Sequence, residues 1–149
     1  MASGIGDTSE NNFMLLLFQN TNWANVGDAT GLRGSSTAGS LYAGLSTGTL
    51  SDTSSQTTTQ AAYGSYARVA VARSSAGWTV SSNQASNTAA TTFPAATSGS
   101  ETETDFCVGL ASGTGAGDII FWGALTSSLA VSTGITPSFA IGALVCSIT

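Results

Sequence analysis

The sequence predicts an all-β protein, an antiparallel β-sandwich of jelly-roll type preceded by one short N-terminal helix and an extended N-terminal arm. Three observations predict it. From Leu41 onward, apolar residues recur at every second position in short runs, which is the mark of half-buried strands. Turns rich in Gly, Ser and Thr separate these runs at nearly regular spacing, as in sandwiches and barrels. Only one segment, Phe13 to Phe18, carries a continuous apolar run of helical character, and it lies before the first strand.

Taken in order, residues 1–9 are expected to form the arm and residues 10–149 a single β-sandwich domain. Asp7-Thr8-Ser9-Glu10 fits a capping box, with Asp7 able to accept from the Glu10 amide while the Glu10 carboxylate reaches back. A helix over about 10–20 follows. It places Phe13, Leu16 and Leu17 on one face, with Met14 and Phe18 widening it. A helix this apolar must bury itself, either on its own domain's sheet or on a neighbouring subunit. Residues of about 20–40 read as a long Gly-, Ser- and Asn-rich loop with Trp23, Val26 and Leu32 as isolated anchors; loops of that length are often functional or bound to something. Ser51 to Gln60, nearly all Ser, Thr and Gln, reads as a second, exposed loop.

Eight strands are expected. Leu41–Thr47 faces Leu41, Ala43 and Leu45 inward, and Tyr66–Arg73 sets Ala67, Val69 and Val71 against Tyr66, Arg68, Ala70 and Ala72. Trp78–Ser82 and Ala89–Phe93 are short, the latter ended by Pro94, which cannot donate to a ladder. Thr104–Ala111 points Phe106, Val108 and Leu110 inward, and Gly113 to Gly117 forms the turn into Asp118–Leu125. Leu129–Ser132 follows. Ser138–Ile148 closes the set, with Phe139, Ile141, Ala143 and Val145 alternating. Several strands are apolar on both faces, so the helix, loops or another subunit must cover one sheet.

The composition excludes most chemistry. Ser, Thr, Ala and Gly supply 85 of the 149 residues, there is no His and no Lys, and Arg33, Arg68 and Arg73 are the only cationic side chains. The net charge of −5 argues against nucleic acid, which needs Lys and Arg to displace counterions from phosphates. No apolar run approaches the roughly 20 residues of a membrane-spanning helix, and the N-terminus has no basic n-region or apolar h-region of an export signal. The protein is therefore expected to be made in the cytosol, with no membrane partner, no cofactor and no enzymatic activity.

Individual motifs agree. Gly44-Leu45-Ser46-Thr47-Gly48 has the spelling of a nucleophile elbow, but the serine has no histidine base and no helix follows. Gly113-Thr114-Gly115-Ala116-Gly117 lacks the Lys of a phosphate-binding loop. Glu101-Thr102-Glu103-Thr104-Asp105 aligns three carboxylates on one side of an extended segment, a pattern that suits Ca²⁺ or, more simply, the solvated start of a strand. The guanidinium groups of Arg68 and Arg73 sit in or beside an apolar strand and need carboxylate partners, for which Glu103, Asp105 and Asp118 are candidates in the same chain or the next. Cys107 and Cys146 read as buried free thiols; a disulfide requires adjacent strands. The candidate partner or oligomer contacts are Ile5, Phe13, Met14, Leu17, Phe18, Trp23, Arg68 and Arg73.

At Leu41-Tyr42-Ala43-Gly44-Leu45-Ser46-Thr47, Tyr66-Ala67-Arg68-Val69-Ala70-Val71, Trp78, Ala85-Ser86-Asn87-Thr88, Thr92-Phe93-Pro94, Gly123-Ala124-Leu125-Thr126 and Gly142-Ala143-Leu144, the sequence resembles a family of small virion proteins of tailed bacteriophages, known variously as tail fibre or capsid cement (decoration) proteins. It departs from the family pattern at Asp105-Phe106-Cys107-Val108-Gly109, where a histidine is expected. The resemblance implies a structural β-sandwich in symmetric oligomers, with no catalytic residues. On this basis the chain is expected to be a cement protein, a homotrimer on the major capsid protein at the capsid exterior, with the arm and helix as clamp. A tail fibre or receptor-binding tail component is the alternative.

Overall fold

The computed structural model describes residues 4–28, 30–113 and 115–148. It is mostly β, with one helix, α1 (Asp7–Gln19), and nine strands: β1 (Ser40–Ser46), β2 (Val69–Ala72), β3 (Trp78–Ser81), β4 (Gln84–Asn87), β5 (Thr91–Thr92), β6 (Ser100–Gly109), β7 (Ile119–Ser132), β8 (Ser138–Phe139) and β9 (Val145–Ser147). The chain divides into two compact units. The first gathers Met1–Ser40, Ala72–Ala90 and Ala140–Thr149; the second gathers Leu41–Val71 and Thr91–Phe139.

In the first unit α1 packs on β3 and β4, in a sheet of order β3-β4-β9 whose pairs are antiparallel. The apolar stripe that buries is Met14 with Phe18, one turn apart, and Phe18 meets the Trp78 ring edge-on at 4.7 Å. This answers the choice left open by the sequence: the helix buries itself on its own unit's sheet. The stripe differs from the expected Phe13, Leu16 and Leu17 face, since Phe13 is 38% exposed while Leu16 and Leu17 are half-buried. The capping box is also not used. Gly6 occupies the N-cap in extended backbone with no side-chain cap, and its carbonyl accepts from the Ser9 and Glu10 amides. Asp7 and Glu10 instead lie in the first turn, where the helix dipole favours carboxylates. The helix thus starts at Asp7, and the arm expected over 1–9 keeps only Gly4, Ile5 and Gly6 among the described residues.

At the other end Asn20 takes the left-handed conformation, φ +58°, and its side chain bonds both the amide and the carbonyl of Ser35. The stretch after it is more than a loop. Trp23 and Leu32 exchange backbone hydrogen bonds at 2.8 and 2.9 Å around a turn that Gly31 closes, φ +62°, where a Cβ would collide with the Trp23 carbonyl. In that turn the Asp28 carboxylate accepts from the Thr30 hydroxyl and from the Thr30 and Gly31 amides, which holds its pKa below the ordinary value.

The second unit is built on a sheet of order β2-β1-β6-β7, with β1–β6 and β6–β7 antiparallel, and a separate antiparallel ladder of β5 and β8. As expected, Leu41, Ala43 and Leu45 of β1 are buried. An aromatic run fills the interior: Tyr63 and Tyr66 at 5.3 Å, Tyr66 stacked with Phe93 at 6.2 Å, and Phe139 edge-on to both Phe93 and Phe106.

Three strand expectations are corrected. On β6 the buried side chains are Glu103, Asp105, Cys107 and Val108, whereas Leu110 is 54% exposed. β6 is paired on both edges, by β1 and β7, and its consecutive residues Cys107 and Val108, which point to opposite faces, are both buried, so period-2 reasoning from one apolar face fails there. The two strands expected at 118–125 and 129–132 are one strand, β7, whose pairing slips between Glu103 and Asp105 so that Leu125–Ser128 face Thr104 alone. The strand expected at Ser138–Ile148 is broken into β8 and β9 by a turn around Gly142, φ +74°. That break reverses the parity: Leu144 and Cys146 are buried, and Ile141 is 71% exposed. Sequence reading also missed β4, whose Gln84, Ser86 and Asn87 lack strand preference and are held by pairing to β3 and β9.

Candidate functional site

The residues expected at partner contacts are distributed between two settings. In the first unit Met14 and Phe18 lie in the interior. Ile5 is 58% exposed and, with Phe13, leaves apolar surface at the N-terminal end of the helix; Leu17 and Trp23 are half-buried. Arg73 closes the opposite end. Its Nε donates to the Leu17 carbonyl and Nη2 to the Leu16 carbonyl, both at 2.6 Å, and Nη1 reaches Ser35 Oγ. A guanidinium there satisfies carbonyls that the last helical turn leaves unbonded and complements the dipole. Backbone carbonyls, not the expected carboxylate, are what this cation binds.

Arg68 is met in the same way in the second unit. It is buried, 8% exposed. Nη1 donates to the carbonyls of Ala111 and Gly115, both at 3.1 Å, and Nη2 to the Gln56 carbonyl at 2.9 Å and to the side-chain oxygen of Gln60. All four partners are neutral, so within the chain the expected pairing with Glu103, Asp105 or Asp118 does not form. Gln56 is the second centre of this cluster. Its amide donates to the Gly117 carbonyl, and its Oε1 accepts from the Ala111 amide at 2.8 Å. Gly109 and Gly117 make room for it, since a Cβ at either would come within 2.4 Å of the Gln56 side chain. The 51–60 segment, expected to be exposed, therefore anchors the β6–β7 connection through a buried glutamine. The only sequence signal for this was Gly109 and Gly117, and nothing marked Gln56 as their partner.

The β6 carboxylates do align on one side of the strand. The Glu101 carboxylate accepts from the Ala62 and Tyr63 amides, each at 2.9 Å, and the Asp105 carboxylate accepts from the Leu50 amide at 3.2 Å. Glu103 between them is fully buried, and burial, then the neighbouring Glu101, push its pKa up to about 8. Glu101 and Asp105 are structural acceptors and Glu103 is buried between them, so the three do not form a solvated patch. Among the described residues, no three His, Cys, Asp or Glu side chains gather so as to hold a metal ion.

The other motif residues have structural roles. Ser46 is buried, and its hydroxyl lies 2.6 Å from Thr59 Oγ1 and 2.9 Å from the Gly48 carbonyl. Cys107 and Cys146 are both free and buried.

A family model described as podophage GP4 fiber I protein gp80 matches residues 4–147. The chain belongs to this family. The match runs from ahead of α1 into β9, so it takes in both units. No match was found among curated proteins. The fiber I family is one of structural proteins of tailed phages, and membership makes this chain a structural virion component. The earlier resemblance to tailed-phage virion proteins points to the same group.

Proposed function

We propose that the chain is an adhesive building block of the phage fibre, acting through surface contact and not through catalysis. The observation that carries this reading is the fiber I family match over 4–147. The chemistry fits it: Glu101, Asp105, Arg68, Arg73 and Ser46 are engaged in holding backbone, and Ile5 and Phe13 offer exposed apolar surface at one end of α1. In a fibre, copies of the chain associate as a symmetric oligomer, a homotrimer in the arrangement we favour. Many copies then multiply weak individual contacts with a host surface.

The exposed Ile5 and Phe13 also favour a second reading, in which the N-terminal end of the first unit clamps onto the major capsid protein and the chain is a decoration protein of the shell. Imaging of intact particles decides between the two. With antibody against the chain, labelling confined to the tail supports the fibre. Labelling spread over the capsid replaces it with the decoration reading.

A further inference from the structure

Arg68 carries a charge that its immediate partners do not neutralise. Its four hydrogen-bond acceptors are backbone carbonyls and one amide oxygen. The fifth donor, Nε–H, is buried and has no acceptor, and in the same cluster the buried Gln56 Nε2 has none either. Buried donors nearly always find partners, and a desolvated guanidinium is ordinarily matched by a carboxylate or phosphate, whose geometry suits its planar fork. A buried positive charge whose hydrogen bonds all go to neutral groups, with one N–H left over, favours an oxyanion nearby.

There is room to meet it. Arg68 lines an open recess of about 110 Å³ together with Gln60, Tyr66, Ala67, Ser112 and Gly113. That is room for a small ionic group. The accessible lining of the recess is mostly apolar, with Tyr66 and Ser112 as neutral polar groups. Tyr66 OH already accepts from the Leu45 amide at 3.0 Å, which leaves its own proton free to donate, and burial keeps that phenol protonated by raising its pKa. Ser112 is an exposed hydroxyl on the β6–β7 connection that Arg68 itself pins in place.

We propose that this recess binds a small oxyanion, a carboxylate or phosphate group borne by a larger molecule, with Arg68 supplying the charge and Tyr66 and Ser112 supplying neutral donors. The inference is independent of whether the chain sits on a fibre or on the shell. Acidic sugars and phosphorylated glycans both present such a group.

The three arginines of the chain give a test with few signals. In the full-length protein labelled with ¹⁵N, each arginine contributes one Nε–H resonance; Arg33→Gln and Arg73→Lys remove the other two and assign that of Arg68. Sodium glucuronate and inorganic phosphate are then titrated separately at low salt. The Arg68 resonance is expected to move saturably with at least one of them, and which one responds tells carboxylate from phosphate. Binding should weaken at least tenfold in Ala67→Phe, which fills the recess from an exposed position without touching the guanidinium's existing bonds. The proposal is overturned if the Arg68 resonance stays still with both ions, if it moves no more than that of the exposed Arg33, or if Ala67→Phe binds as well as the parent.

Discussion

Glu103 is buried two residues along β6 from Glu101, and the two carboxyl groups have unequal support. Glu101 accepts two backbone N–H bonds, from Ala62 and Tyr63, which favour its ionised form. Glu103 has neither those donors nor solvent; both its oxygens are buried without a hydrogen-bond donor, and burial with the adjoining Glu101 charge keeps it protonated to about pH 8. The nearby Tyr63 phenol responds in the same sense, pushed up to about 12 by burial and then by the charges of Glu103 and Glu101.

This makes stability depend on pH. The folded-state pKa of Glu103 lies above its ordinary value, so the folded protein holds a proton that the unfolded chain releases. The contribution is fully favourable below about pH 4.5 and is lost as pH rises to about 8. Glu103→Gln should therefore leave the thermal midpoint nearly unchanged near pH 4 and raise it at pH 8, where at about 1.4 kcal/mol per pKa unit the relief is on the order of a few kcal/mol. Melting curves of both proteins across this range check it. Parallel curves would mean that Glu103 does not carry the proton.

The Phe18 and Trp78 contact makes a different claim, about which side of α1 maintains the fold. Phe18→Ala removes a fully buried ring and should cost about 3–5 kcal/mol, with loss of helix docking. Phe13→Ser, at a residue 38% exposed, should cost less, about 1–2 kcal/mol. Urea unfolding of the two variants checks the assignment. If Phe13→Ser is stable yet no longer incorporates into particles, the exposed end of the helix is an attachment surface.

How much of this was legible in the sequence depends on burial symmetry. β1 was read correctly because it alternates Leu41, Ala43 and Leu45 against polar or small residues. β9 was read with the wrong face inward, and β6 was read with one buried face, on which Val108 is indeed buried, where the other is buried as well. In β6 the reason is that carboxylates are buried where backbone N–H groups meet them, and hydropathy counts such residues as exposed. In β9 the Gly142 turn resets the alternation. The Arg68 cluster was half legible: a guanidinium in an apolar strand announced that it needed partners, but carbonyls of residues 12 to 47 positions away supplied them. Such long-range polar contacts leave no periodic trace.

The two thiols offer a simple check on burial. Desolvation raises Cys107 to about 11 and Cys146 to about 12, so neither forms the nucleophilic thiolate at pH 8. Iodoacetamide should leave both unmodified in the folded protein and alkylate both in denaturant, as mass spectrometry would register. Rapid labelling of one cysteine under native conditions would show that its strand opens.

Asn87 supplies the sharpest test of the first unit's polar core. Buried on β4, it donates through Nδ2 to the carbonyls of Ala89 and Ala140 and accepts through Oδ1 from the Leu144 amide, at 2.8, 2.9 and 2.9 Å. One side chain thus ties the end of β4 to the turn that leads into β9. An aspartate of the same shape can still accept from Leu144, but when ionised it has no proton for the two carbonyls and sets a buried negative charge against them. Asn87→Asp should therefore destabilise more at pH 7 than at pH 4, where the protonated acid restores one donor. Asn87→Ala should lose about 2–4 kcal/mol at both, since it takes the acceptor from the Leu144 amide and the side-chain donor from the Ala89 carbonyl, while the Ala140 carbonyl keeps only the Ala143 amide. Chemical denaturation at the two pH values separates the cases: an equal loss for Asn87→Asp at pH 4 and pH 7 would mean that the donors of Nδ2 are dispensable.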